Sequence, residues 1–177
     1  LSDQFHDDTR GAYDHHLLAQ LTTAGFGPGG QGTDLSSIGK GFAVDRVAEC
    51  LQQLGIRRFA FSLAGEVRTG EGTWPVGISS PTPGSSAICQ TLQLTRQSMA
   101  TSGNTRQWNH QQDGKLASHL LDPQTGEPVL RPPCSVTVIA PDAATASAWA
   151  TALFVLGPEK STLAHSQGLQ VIWHGTP

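Results

Sequence analysis

Four short segments hold the residue types that chemistry needs. The first is Asp34-Leu-Ser-Ser-Ile-Gly-Lys-Gly-Phe-Ala-Val-Asp-Arg46. A lysine between two glycines at a helix entrance is unusual. Gly39 and Gly41 let backbone come close to a ligand, the first N–H groups of a helix attract anions, and Lys40 adds a point charge for phosphate. The competing reading is a solvated lysine in a flexible turn, which the residues alone favour slightly. The second segment is Ala100-Thr-Ser-Gly-Asn104. Its hydroxyls and glycine suit a phosphate or a polar ring edge, but an ordinary turn explains them better. The third is Ser118-His-Leu-Leu-Asp-Pro-Gln-Thr-Gly-Glu-Pro128. His119, placed on a strand, has the near-neutral pKa of a general base; it can equally satisfy a local backbone group. Asp122 reads as the opening of an Asx-type turn. The fourth is Ala146-Ser-Ala-Trp-Ala-Thr-Ala-Leu153, where Ser147 and Thr151 are four apart and share a helix face. Two oxygens there suit a hard cation, although such a site normally includes a carboxylate. Helix packing through small residues is the alternative.

The elements that position these segments follow from periodicity. Residues 8–25 read as an amphipathic helix with Tyr13, Leu17, Leu18 and Leu21 on one side. Gly25-Phe-Gly-Pro-Gly-Gly-Gln-Gly32 reads as a linker, because it lacks the Lys-Ser/Thr of a phosphate loop and follows no strand. Val44, Val47, Ala48 and Leu51 predict a helix over about residues 42–54, stopped by Gly55. Arg57 to Leu63 alternates and predicts a half-buried strand, with Phe59, Phe61 and Leu63 on one face. Trp74–Ile78, Ile88–Thr95, Leu116–Leu121 and Cys134–Ala140 are further strands. Asp142 caps a helix over about 143–156, buried through Trp149, Ala150, Leu153 and Phe154 and ended by Gly157. Pro158 and Glu159 open a short helix, and Leu169–Trp173 is a final buried strand. Strand runs mixed with single helices predict an α+β fold, a mostly antiparallel sheet flanked by helices. Residues 1–177 are expected to form one domain.

Composition excludes several functions. Lys and Arg total 11 of 177 residues, with no cluster beyond Arg57-Arg58, and the net charge is −3. That is no footprint for nucleic acid. No apolar run reaches the roughly 18 residues that span a bilayer, and no signal peptide is visible at Leu1. Cys50, Cys89 and Cys134 are odd in number and unpaired in spacing, so core packing is expected for all three.

Taken in order, the segments resemble the ApbE-type FAD:protein FMN transferases. Asp34 to Val47 is similar to the family's segment around a flavin-contacting lysine. Leu63-Ala-Gly-Glu-Val-Arg68 resembles its Gly-Gly-acidic turn, with Ala64 for the first glycine. Trp74-Pro-Val-Gly-Ile78 resembles its Trp-x-Val-Gly-Ile strand. Ala100-Thr-Ser-Gly103, His119 to Gly126 and Ala150 to Gly157 follow at family-like separations, so the resemblance covers roughly residues 33–175. Gly11-Ala-Tyr-Asp14 is faintly similar to a segment further upstream, and residues 1–33 are otherwise divergent and short for the family. The resemblance implies a protein that binds FAD and, with Mg²⁺, moves FMN to a Thr or Ser hydroxyl of an acceptor protein, releasing AMP. The acceptor would be a redox-pump or Rnf-type subunit, and the location periplasmic or at the outer face of the cytoplasmic membrane. It further implies Lys40, Gly41, Glu66, Thr101, Ser102, Gly103 and His119 as the FAD-contacting set, His119 as the base, and Gly39, Ser147 and Thr151 at the metal. The family has an Asp where this chain has Ser147, which predicts weak metal binding. Two alternatives follow: a catalytically impaired FAD-binding relative, and an FAD pyrophosphatase yielding FMN and AMP.

Overall fold

The computed structural model describes residues 1–27, 29–30, 32–105, 108–110 and 116–176; for 108–110 and 116–117 it describes backbone only. Three helices come first: α1 (Ser2–Asp8), α2 (Leu18–Thr23) and α3 (Ser36–Gln53). Strands β1 (Ala60–Leu63), β2 (Glu66–Thr69), β3 (Trp74–Ser79), β4 (Ile88–Leu94), β5 (Ser98–Gly103), β6 (Trp108–His110), β7 (Leu116–Ser118) and β8 (Cys134–Ala140) follow. Helix α4 (Ala143–Leu156), a 3-10 turn (Pro158–Lys160), α5 (Ser161–Ser166) and β9 (Gln170–Gly175) end the chain. The main sheet has the order β1-β2-β5-β8-β9, every pair antiparallel. β3–β4 and β6–β7 are separate antiparallel hairpins. The fold is α+β, as expected.

Strand alternation decides what each face of the sheet meets. Ala100, Val136 and Val138 point towards α4 and pack on Trp149, Leu153 and Phe154. Their neighbours Met99, Val67 and Ile139 point the other way and pack on Ile78 and Leu94 of the β3–β4 hairpin. The sheet is therefore a middle layer between α4 and that hairpin. The predicted burial of α4 is met: Trp149 is 2% exposed, and Ala150, Leu153 and Phe154 are fully buried. Asp142 caps α4 as predicted, its Oδ1 accepting the Thr145 N–H at 2.8 Å.

Several expectations need correction. Of the helix expected over 8–25 only α2 forms; residues 9–17 are turns, with Arg10 and Gly11 at positive φ, and α1 lies before them. Tyr13, Leu17, Leu18 and Leu21 are nonetheless all buried. Helix α3 begins at Ser36, earlier than predicted, because the Asp34 carboxylate accepts the Ser36 N–H at 3.0 Å and turns the chain into the helix. Strand β1 lies at the sheet edge and is largely exposed; of its expected apolar face only Phe59, just before it, is buried. Likewise β9 is an edge strand of middling burial. Ala100 to Gly103 form no turn but lie on β5, in the middle of the sheet. The glycine-rich segment is more than a linker, since Phe26 packs beside Leu17, Leu21 and Leu121; Pro28 and Gln31 of it lie outside the described residues. Cys134 is buried in the core, but Cys50 and Cys89 are exposed on α3 and β4.

The β1–β2 turn carries a prediction. Ala64 (φ 49°) and Gly65 (φ 106°) both occupy the left-handed side, which suits glycine and strains alanine. Ala64→Gly should raise unfolding stability by roughly 1 kcal/mol. A urea midpoint that is unchanged or lower would refute that strain.

Candidate active site

α3, β2, β5, α4 and the segment after β7 converge on one cleft of about 980 Å³. That lies at the upper end of small-molecule sites. Lys40, Glu66, Thr101, Ser102, Gly103, His119, Ser147 and Thr151 all line it. Two of the expected residues do not. Gly39 is exposed on α3, and Gly41 is buried against the start of α4. A Cβ added at Gly41 would sit 2.5 Å from the Ala143 carbonyl oxygen, so the missing side chain lets α3 approach α4.

The remaining geometry centres on Glu66, at the head of β2. Its carboxylate is only 6% exposed, and its Oε1 lies 3.0 Å from Lys40 Nζ. Ser147 Oγ lies 3.1 Å from the same oxygen and also meets the backbone carbonyl of Ser37. A hydroxyl has one proton, so Ser147 serves these acceptors by turns. The carbonyl brought to Ser147 is thus that of Ser37, two residues before the expected Gly39. Glu66 Oε2 is buried and has no hydrogen-bond partner among the described residues. Lys40 stands in the second turn of α3, not at the helix entrance, because α3 starts early. Its charge is delivered by the side chain alone.

The hydroxyls on β5 face opposite ways. Ser102 points to the helix side, 3.3 Å from Thr151 Oγ1. Thr101 points to the hairpin side and meets Thr137 Oγ1 at 2.8 Å. Each keeps spare acceptor capacity for a ligand. His119 follows β7 directly instead of lying on it, is half-buried, and has the Phe26 ring edge-on at 6.2 Å. Asp122 opens an Asx turn, its Oδ1 accepting the Gln124 N–H at 2.9 Å, as the sequence suggested.

Sequence reasoning missed Asp45. Its carboxylate accepts the N–H groups of Ala143 and Ala144 at 2.9–3.0 Å, capping α4 from a different helix. Burial pushes the Asp45 carboxyl above its ordinary range, against the pull of those two N–H groups. A local window holds no sign of a partner about a hundred residues away. Asp45→Ala should cost about 1–3 kcal/mol, since it leaves two helix-start donors unmatched. Chemical denaturation checks this; an unaltered midpoint would mean that water replaces the cap without loss.

The donor set at Ser147 does not fit a resident Mg²⁺ ion. Its oxygens are of the right kind. However, its one carboxylate is already paired with the Lys40 ammonium, so the group offers a dication no net negative charge.

Comparison with known proteins agrees with this architecture. The sequence model of the ApbE family matches residues 13–173. The chain is 42% identical over 144 residues to proteins named FAD:protein FMN transferase from Klebsiella pneumoniae (strain 342) and Escherichia coli (strain K12). Each match covers 78% of this chain and 41% of the relative, so the chain spans about two fifths of the length of these curated relatives. The crystal structure of apo flavinyl transferase ApbE from Pseudomonas stutzeri aligns with a TM-score of 0.80 at 30% identity, over 97% of this chain and 66% of that one. Flavin transferase ApbE from Vibrio cholerae aligns with a TM-score of 0.79 at 27% identity, over 97% and 68%. A family match across most of the sequence and a shared fold across nearly all of it leave one assignment: the chain belongs to the ApbE family.

Proposed function

We propose that this chain carries out the central chemistry of an FAD:protein FMN transferase, moving FMN from FAD to a Thr or Ser hydroxyl of an acceptor protein. The convergence of Lys40, Glu66, Ser102 and His119 on one cleft supports this reading most strongly. His119 takes the proton of the acceptor hydroxyl. The hydroxyl oxygen attacks the FMN phosphorus, the bond from that phosphorus to the bridging oxygen breaks, and AMP departs with that oxygen. Little covalent work falls to the protein, so positioning and charge dominate. Lys40 has three N–H donors; Glu66 takes one and holds the side chain, leaving two for the pyrophosphate. Glu66 is thus a positioning residue.

Mg²⁺ enters this reading only as a companion of the FAD pyrophosphate, with no protein residue assigned to hold it. Ser147→Asp would put a second carboxylate beside Glu66. Without cation the two like charges should lower the melting temperature; added Mg²⁺ should restore it, with affinity at least about tenfold above wild type. Equal Mg²⁺ binding by both proteins, measured calorimetrically, would refute this account of the charge.

By the same resemblance, we propose a periplasmic location or one at the outer face of the cytoplasmic membrane, with a redox-pump or Rnf-type subunit as acceptor, and read residues 1–177 as one domain. No helix among the described residues is long and apolar enough to cross a membrane. The deciding experiment mixes pure protein, FAD, Mg²⁺ and an acceptor carrying the family's target Thr, and looks for FMN mass on the acceptor. Release of FMN and AMP without labelling would instead establish the pyrophosphatase, and FAD binding with neither product would establish a binding protein.

A further inference from the structure

We infer that Asp14, His15 and His16 form a binding site for a divalent transition ion of the zinc type, separate from the chemistry proposed above. One ligating atom from each residue lies within 4.8 Å of the other two. Zinc bonds to nitrogen and carboxylate oxygen are about 2.0–2.2 Å long, so tetrahedral ligands sit roughly 3.4 Å apart. No pair of the three therefore needs to close by more than about 1.4 Å.

One observation beyond this geometry points to a ligand: His15 is 7% exposed, and its Nδ1 is buried without a hydrogen-bond partner among the described residues. A buried, unmatched ring nitrogen is costly unless something binds it. Its other nitrogen, Nε2, lies 3.2 Å from Asp3 Oδ1. A carboxylate there holds the ring proton on Nε2 and leaves the Nδ1 lone pair free, which is the arrangement that orients histidines on metals. His16 Nδ1 lies 2.9 Å from Asp14 Oδ1, which also accepts the His16 backbone N–H at 2.9 Å, so the carboxylate already sits beside the ring. The His15 and His16 rings are 4.0 Å apart between centroids. Two imidazoles and one carboxylate select zinc-like ions over Mg²⁺, which prefers an all-oxygen shell. Asp14 also lines the cleft, and the His15 carbonyl accepts the Asp34 N–H at 2.8 Å, so a bound ion would brace the cleft's entry segment.

The test is calorimetric titration of tag-free protein with Zn²⁺ alone, against His16→Ala. The His16 side chain is 68% exposed, so its loss leaves the fold intact. Wild type should bind one equivalent at micromolar affinity or better; His16→Ala should bind at least tenfold more weakly, and Asp3→Asn should lose affinity while keeping one equivalent. FAD is absent throughout, so the result is independent of the transferase reading. No Zn²⁺ binding by wild type overturns the site. So does equal binding by His16→Ala, which would move the ion elsewhere, for instance to the exposed Cys50 or Cys89 thiols.

Discussion

His119→Asn is expected to slow FMN transfer by about 10²–10⁴-fold and to leave FAD affinity nearly unchanged. The histidine lines the cleft on a short segment between β7 and the Asp122 turn, held by structure on both sides. Asn occupies similar space and keeps hydrogen-bonding capacity, but cannot take a proton near neutral pH. The loss should fall on the chemical step and therefore on kcat, not on binding. Single-turnover rates at saturating FAD, beside a direct FAD titration, separate the two. A variant that transfers at the wild-type rate would remove His119 as the base. One that loses FAD binding in step with its rate would reassign it to cofactor contact.

Gly41→Ala is expected to cost roughly 3 kcal/mol or more and to empty the cleft of its order. Its added Cβ would lie 2.5 Å from Ala143 O, 2.7 Å from Ala143 C and 2.9 Å from Ala144 N. These are backbone atoms in the first turn of α4, so no flexible side chain can move aside. Overpacking of this kind costs about 1–3 kcal/mol where it can relax and more where it cannot. Separating α3 from α4 would also pull Asp45 from the Ala143 and Ala144 N–H groups. It would part the Ser37 carbonyl from Ser147 as well. Urea denaturation measures the first effect and FAD titration the second. An unfolding free energy lowered by under about 1 kcal/mol would show that the helices separate without penalty.

The lysine-containing motif of the sequence thus has two jobs on one helix. Lys40 faces the cleft, while Gly41 and Asp45 lock α3 to the start of α4. Sequence alone could not divide these roles, because both glycines beside Lys40 suggest backbone approaching a ligand. Only the placement of α4 shows that one of them approaches another helix.

Elements with strong local cues were legible in the chain. Asp142 and Gly157 bound α4, whose apolar residues leave little choice but burial. The alternation of Cys134–Ala140 specifies β8 end to end. The hairpin strands β3 and β4 are separated by clear turn residues. Less legible were β2 and β5, which are rich in Glu, Arg, Ser and Thr and lack the expected apolar alternation. Their burial comes from neighbours: β5 pairs with both β2 and β8, and only that pairing turns Ala100-Thr-Ser-Gly103 from an apparent turn into a central strand. The sequence by itself determined the family, the fold class and the residue types available for phosphate chemistry, because motif order and periodicity are local properties. Tertiary structure alone decided that Glu66 meets Lys40 and Ser147, that Ser37 supplies the nearby carbonyl, and that Asp45 caps a distant helix. Those are contacts between residues 26 to 110 positions apart, and such pairings are set by how the layers pack, not by any window of the chain.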